Sequence, residues 1–262
     1  MIVGVAGLGA MGRPIATRLG HAGFDVLGLD PHAAAIPGVH LVSSLAEADF
    51  VFVIVPTDED VAEVVDGLLT TPHPGQIIAI SASVRPETCR ALAEKAATHG
   101  VDVLDVALTG GIRGAESGTL NLLIGGNPAV VERSTPVLAA ISTGRHVLGP
   151  VGAGQVGKAA SNLIHWAEIV AIDEAMRLAA AYGVAPAVLR AALQEGGTDS
   201  RTLRELELMK FTWWAKDIAI AEQMAAAVNR ELPVAGQSRR LMPTITVESI
   251  RELLSPEPSP AP

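Results

Sequence analysis

The chain has 262 residues, with 19 Lys and Arg against 28 Asp and Glu and a formal charge of −9 at pH 7, a balance that argues against nucleic acid or an anionic membrane surface as the main partner. It is 49% hydrophobic but only 3% aromatic, so its core must be built from Ala, Val, Leu and Ile, a composition that suits a parallel sheet flanked by helices. The length accommodates two domains, and the single cysteine, Cys89, excludes an intrachain disulfide framework and fits a reducing, cytoplasmic location.

The chain opens on the apolar run Ile2–Ala6, with no basic segment ahead of it that would read as a signal peptide. Gly7-Leu8-Gly9-Ala10-Met11-Gly12 follows, and then a helix over Gly12–His21. This is G-x-G-x-x-G in its required context of strand, tight turn and helix. Gly7 permits the turn, Gly9 lets backbone approach a pyrophosphate, and Gly12 lets the helix pack closely on the strand. The helix start offers N–H groups and partial positive charge to the phosphates. The next strand, over residues 26–29, ends at Asp30, where an acidic residue accepts hydrogen bonds from the adenosine ribose.

Further strands are predicted over 39–42, 50–55, Ile77–Ile80 and 101–106, with helices over Asp58–Leu69 and 86–98. Alternation of short apolar runs with helices reads as βαβ units in a doubly wound, Rossmann-type sheet. Val55-Pro56-Thr57 and Ser83 lie in loops at strand carboxyl ends and are candidate cofactor contacts; Asp58 is read as the cap of the next helix. The segment from Asp105 to Leu120 carries Thr109-Gly110-Gly111 and two more glycines, which read as a loop that brings backbone close to something. Arg113, the only cation there, could meet a carboxylate or solvent. A strand over 120–124, a helix over 128–140 and a strand over 145–148 complete a first domain of residues 1–150.

Residues 152–181 then read as one long proline-free helix, and 151–254 as an all-helical domain. Lys158, Asn162, His165 and Ile169 fall at spacings of four, three and four, on one face of that helix. A buried lysine shifts its pKa downward and can serve as a proton donor near neutral pH, whereas a partly exposed one simply snorkels at a domain edge. Shorter helices are predicted over 186–194, 202–209, 213–228 and 247–254. Trp213 and Trp214 read as core or interface packing, while Lys216 either pairs locally or points at the first domain. The proline-rich tail, 255–262, is expected to be disordered. No apolar run reaches membrane-spanning length, and no metal is expected.

Taken together, Gly7–Gly12 with Arg13-Pro14, Thr109-Gly110-Gly111 with Gly118-Thr119-Leu120, Gly152-Ala153-Gly154 running to Lys158 and Asn162, and Lys216-Asp217-Ile218 resemble the β-hydroxyacid dehydrogenase family. This is the group of 3-hydroxyisobutyrate dehydrogenase, tartronate semialdehyde reductase and the glyoxylate/succinic semialdehyde reductases. The resemblance covers nearly all of residues 1–254. It implies hydride transfer between a nicotinamide cofactor and a small 3-hydroxy acid or its semialdehyde, with Lys158 as general acid/base and Asn162 orienting the substrate. Thr109, Gly110 and Gly111 would bind the substrate carboxylate, and Lys216 would reach cofactor or substrate. The family implies a homodimer or higher oligomer. Asp30 would repel a 2′-phosphate, so NAD is expected over NADP.

Several positions depart from the family pattern. Thr109 replaces the usual serine, and Ile80 and Ala82 replace the usual polar pair, leaving Ser83 as the matching hydroxyl. Residues 194–212 and 229–247 look shortened, and His165 is an addition that would line the pocket and narrow substrate choice. An imine reductase of the same architecture and a non-catalytic dinucleotide-binding protein are the alternatives; Lys158 weighs against the first, which the shortened pocket keeps open, and Lys158 with Asn162 against the second.

Overall fold

The computed structural model describes residues 1–255; the tail predicted from residue 255 on lies, past that residue, outside the described residues. The chain divides into two compact units, Met1–Lys158 and the residues from Ala159 onward.

The first unit is built on one eight-stranded sheet of order β3-β2-β1-β4-β5-β6-β7-β8. Its strands are β1 (Ile2–Ala6), β2 (Asp25–Leu29), β3 (Val39–Leu41), β4 (Phe50–Val53), β5 (Ile77–Ile80), β6 (Asp102–Thr109), β7 (Leu120–Gly125) and β8 (Ser142–Gly149). Strands β1 to β6 are mutually parallel, β7 runs antiparallel to β6, and β8 is parallel to β7. Side chains alternate across the sheet as the two-residue period requires. Val3, Val5, Phe50 and Phe52 face a layer with Ile15, Ala16 and Leu19 of α1 (Gly12–His21) and Val130, Val137 and Leu138 of α5 (Pro128–Ile141). Ala6, Val51 and Val53 face the opposite layer, with Val61, Val65 and Leu68 of α2 (Asp58–Leu69) and Cys89, Leu92 and Ala96 of α3 (Pro86–Ala97). The central strands are covered on both faces, so β1, β4 and β5 are wholly apolar, and few aromatics are needed to fill the layers.

The strand order reverses between β1 and β4, which makes their carboxyl ends the crevice where ligands bind in such sheets. Two predictions are corrected in this unit. The glycine-rich stretch after β6 is a short helix, α4 (Gly111–Ser117), bracketed by left-handed glycines at 110 (φ 111°) and 118 (φ 72°). The cap of α2 is Thr57, not Asp58. The Thr57 hydroxyl accepts from Asp60 N at 3.1 Å while Asp60 accepts from Thr57 N at 3.1 Å, a closed capping box. Asp58 instead accepts from the Arg85 amide and the Thr88 hydroxyl, joining the starts of α2 and α3.

The second unit continues α6 (Ala153–Ala181) and adds α7 (Pro186–Leu193), α8 (Arg201–Glu205), α9 (Trp214–Ala227), α10 (Pro233–Leu241) and α11 (Val247–Leu253). Helix α10 was not predicted. The second half of the 202–209 helix is a 3-10 turn, Leu206–Leu208. Trp166, Ile169, Val170, Leu206, Ile218, Met242 and Ile250 form a core of this unit. Trp214 packs against that core, whereas Trp213 is 60% exposed and lies outside it. Among the described residues no helix is long and apolar enough to cross a membrane.

Candidate functional site

At the end of β1, two glycines of the turn are demanded by the protein itself and one is not. Gly7 sits at φ +89°, and an added Cβ would lie 2.3 Å from Ile54 O, at the end of neighbouring β4. A Cβ on Gly12 would fall 1.8 Å from Gly7 O, so only glycine lets α1 pack down on the turn. A Cβ on Gly9 meets nothing within 4 Å. The space beside Gly9 is thus open, and no neighbour within the described residues requires glycine there. Leu8 turns its side chain into the core, leaving its backbone in the turn.

Asp30 ties this turn to β2. Its carboxylate accepts from Leu8 N at 2.8 Å and from His32 N at 2.8 Å. These backbone bonds, that from His32 first, hold its pKa below the usual carboxylate value. The acid predicted to meet a ribose therefore also fixes the loop that would meet the phosphates.

Helix α1 begins at Met11 with no side-chain cap and no acidic residue in its first turn. Helix α2 is the opposite case, self-capped by Thr57 with three acidic residues in its first turn. Of the two, α2 has a side-chain cap and a negatively charged first turn, whereas the start of α1 has neither and is the better placed to receive an anion. An uncapped helix start, open space at Gly9 and a carboxylate at the end of β2 fit a dinucleotide. Val55 and Pro56 follow β4 at the same crevice. Ser83, half-buried, sits in the loop after β5.

The carboxyl end of β6 carries a second cluster within the same unit. Lys158 Nζ donates to Leu108 O at 2.9 Å. The next residue, Thr109, donates its hydroxyl to Asn121 O at 2.8 Å and accepts from Asn121 Nδ2 at 3.2 Å, across the β6–β7 pair. Asn121 Oδ1 lies 2.8 Å from His146 Nε2 of β8, which fixes the amide's orientation. Gly110 and Gly111 follow in left-handed backbone, and Arg113 is exposed on α4.

Three residues before Leu108, Asp105 is completely buried. Its carboxylate accepts from Gly152 N at 2.7 Å and Gln155 N at 2.8 Å, at the very start of α6. Burial pushes its pKa up, and the backbone N–H groups of Gly152 and Gln155 pull it back. Gln155, also buried, donates its amide to Ala82 O at 2.9 Å and accepts from Val84 N at 3.3 Å. The glycines around this corner are required: a Cβ on Gly125 or Gly154 would come within 2.1 Å and 2.7 Å of the Asp105 carboxylate. Sequence reasoning did not single out Asp105 or Gln155. The available signal was a carboxylate inside the apolar run Val103-Leu104-Asp105-Val106-Ala107, an arrangement that needs a partner.

In the second unit, Asn162 lies one helical turn after Lys158 on α6. The His165 ring Nδ1 lies 3.1 Å from the buried Thr202 hydroxyl of α8, and the ring packs against Trp166 with centroids 4.8 Å apart. Trp166 Nε1 donates to Asp217 Oδ2 at 3.1 Å, so Asp217 is engaged with α6 while Lys216, its neighbour on α9, is half-buried. Among the described residues there is no group of three or more His, Cys, Asp or Glu that could hold a metal.

Comparison with known proteins places this geometry. Residues 2–152 match the family profile for the NAD binding domain of 6-phosphogluconate dehydrogenase. Residues 152–252 match that described as NAD-binding of NADP-dependent 3-hydroxyisobutyrate dehydrogenase. The chain is 32% identical over 265 residues to 2-hydroxy-3-oxopropionate reductase of Escherichia coli K12, covering 93% of this chain and 91% of the relative. It is 30% identical over 221 residues to 2-(hydroxymethyl)glutarate dehydrogenase of Eubacterium barkeri, covering 80% and 73%. Among solved structures, 3-hydroxyisobutyrate dehydrogenase of Mycobacterium tuberculosis with L-serine superposes at a TM-score of 0.84, with 26% identity and coverage of 93% and 92%. With a nucleotide-type crevice in a doubly wound sheet and matches running through both units, the chain belongs to the β-hydroxyacid dehydrogenase family and is an NAD(P)-dependent oxidoreductase.

Proposed function

We propose that Lys158 is the general acid/base of hydride transfer between a nicotinamide cofactor and a small 3-hydroxy acid or its semialdehyde. The observation that carries this reading is the Lys158 ammonium held 2.9 Å from Leu108 O, at the carboxyl end of β6 beside Thr109-Gly110-Gly111. A carbonyl orients the ammonium without neutralising it. As the neutral amine Lys158 would take the hydroxyl proton while the acid is oxidised, and as the ammonium it would return that proton to the carbonyl oxygen in reduction. The bound cofactor supplies the hydride acceptor or donor.

The other residues would bind and orient. Asn162 would align the substrate beside Lys158. The Gly110 and Gly111 amides, with Arg113 nearby, would receive the substrate carboxylate. Thr109 would join them by exchanging its bond to Asn121 O for one to the carboxylate. His165 would narrow substrate choice. Gly7, Leu8, Gly9, Ala10, Met11, Gly12, Asp30, Val55, Pro56, Thr57, Ser83 and Lys216 would hold the cofactor. A carboxylate at Asp30 repels a 2′-phosphate, which favours NAD. Residues 1–150 would form the dinucleotide-binding domain and 151–254 the substrate domain of a cytoplasmic homodimer or larger homo-oligomer.

The test is absorbance of NADH and NADPH with a panel of small semialdehydes, 3-hydroxy acids and cyclic imines, run on wild type and Lys158→Ala. Turnover of one acid series is expected, falling by about 10²- to 10⁴-fold in the variant with NADH affinity kept. Retained turnover in Lys158→Ala would remove its assigned role. Turnover of cyclic imines alone would move the substrate class.

A further inference from the structure

The start of α6 is held at three points that converge on Lys158. We infer that Asp105 and Gln155 are positioning residues for Lys158, setting where its ammonium stands at the end of β6. The inference rests on the proposed role of Lys158 and lies wholly within the first unit.

Asp105 and Leu108 belong to one strand, about 10 Å apart along it at ~3.3 Å per residue. Asp105 grips Gly152 N and Gln155 N, while Leu108 O accepts from Lys158 Nζ. Helix α6 rises only about 4.5 Å from Gln155 to Lys158, and the lysine's four-carbon side chain spans the rest. The strand therefore acts as a ruler with one mark at the helix start and another at the ammonium. Gln155 adds a third fixed point by bonding both Ala82 O and Val84 N in the loop after β5. Nothing about an ordinary helix start calls for this, because an exposed Ser, Thr or Asp beside the helix would satisfy the same N–H groups. Here the cap is reached from another strand, is fully buried, and is fitted by glycines at 125 and 154.

Two variants test this. Asp105→Asn keeps the shape but sets an amide against backbone N–H groups and removes a negative charge roughly 10 Å from Lys158. Gln155→Met keeps the backbone N–H to Asp105 and removes the tie to residues 82 and 84. Both are expected to lower kcat about 10- to 100-fold, the scale of a misplacement near 1 Å, with KM and the NADH dissociation constant changed less than about threefold. Only Asp105→Asn should also shift the pH profile. Loss of the charge disfavours the ammonium, so the acid limb of hydroxy-acid oxidation moves down by about one unit. The ionisable groups of α3 beside this corner, Cys89 next to Asp105 and Arg90 against Gly152, are the same in both variants.

Unchanged kcat in both variants, with Lys158→Ala inactive, overturns the inference while leaving the lysine's role intact. Active Lys158→Ala removes the reading beneath it. A loss of melting temperature with kcat preserved makes the corner purely structural and also overturns it. Should Asp105→Asn not fold, Gln155→Met decides alone, and retained kcat there is the refuting result.

Discussion

Replacing Gly9 by alanine separates what the turn needs in order to fold from what it needs in order to bind. Gly9 is not among the glycines with positive φ, and a Cβ there meets no protein atom within 4 Å. The folded protein therefore has no reason to resist Gly9→Ala, and the unfolded chain loses freedom, which stabilises by about 0.4–1 kcal/mol. The same methyl at Gly12 would stand 1.8 Å from Gly7 O, and at Gly7 it would stand 2.3 Å from Ile54 O with φ at +89°. Overpacking of that kind costs about 1–3 kcal/mol or more. With the cofactor seated over the turn as proposed, the Gly9 methyl would occupy the space left for the ligand. The same 1–3 kcal/mol then appears as a weaker complex, about 5- to 150-fold in dissociation constant. Thermal unfolding and NADH fluorescence titration on the three variants read both quantities. Gly9→Ala should melt at or above wild type and bind poorly, and Gly12→Ala should melt well below it. NADH binding within twofold of wild type in Gly9→Ala would refute the assignment of that open space to the cofactor.

Other outcomes follow from bonds already described. Asp30 has a carboxylate pKa below its unfolded value, so its contribution to stability is complete above about pH 4 and is lost as pH falls through the folded value. Denaturant midpoints measured from pH 6 to pH 2 should therefore fall less steeply in Asp30→Asn than in wild type. Asp30→Ser should raise the ratio of NADPH to NADH turnover by about tenfold or more, the equivalent of one removed charge repulsion, while also weakening NADH because Leu8 N loses its partner. Equal ratios in wild type and variant would mean that another group selects the cofactor. Thr109→Val leaves Asn121 short of a donor and an acceptor at a half-buried site. It should cost about 1–2 kcal/mol in chemical denaturation, with Thr109→Ser close to wild type.

Much of this architecture is legible in the sequence because local signals and tertiary demands agree. The first strand, turn and helix appear at their predicted positions because glycine spacing and apolar pattern describe one object. The helix Asp58–Leu69 is found to the residue, since acidic residues crowd its first turn ahead of a clean apolar period. Its cap was misassigned by one position because Thr57 and Asp58 are both good caps, and only the reciprocal bond with Asp60 distinguishes them. Helix α4 was hidden by its own glycines: Gly110 and Gly118 end it on both sides, and Gly111 and Gly114 lower its propensity. Helix α10 was hidden by Gly236, Gln237 and Ser238, which leave a weak apolar signal that packing of Ala235 and Met242 then overrides. At the candidate site the spacing of Lys158 and Asn162 was readable, but Asp105's grip on Gly152 and Gln155 was not. It joins residues 47 and 50 positions apart, and no periodicity records such a pairing.

Cys89 lies fully buried on α3, and burial pushes its thiol far above the ordinary range. It is also the one cysteine of the chain. A maleimide or disulfide reagent at neutral pH therefore finds almost no thiolate on the native protein. Any cysteine placed on the surface, for example at the exposed Ile164 or Tyr182, becomes the single addressable handle, with no background to remove. A spin label or fluorophore set there would report directly whether copies of the chain associate in solution, on otherwise unmodified enzyme.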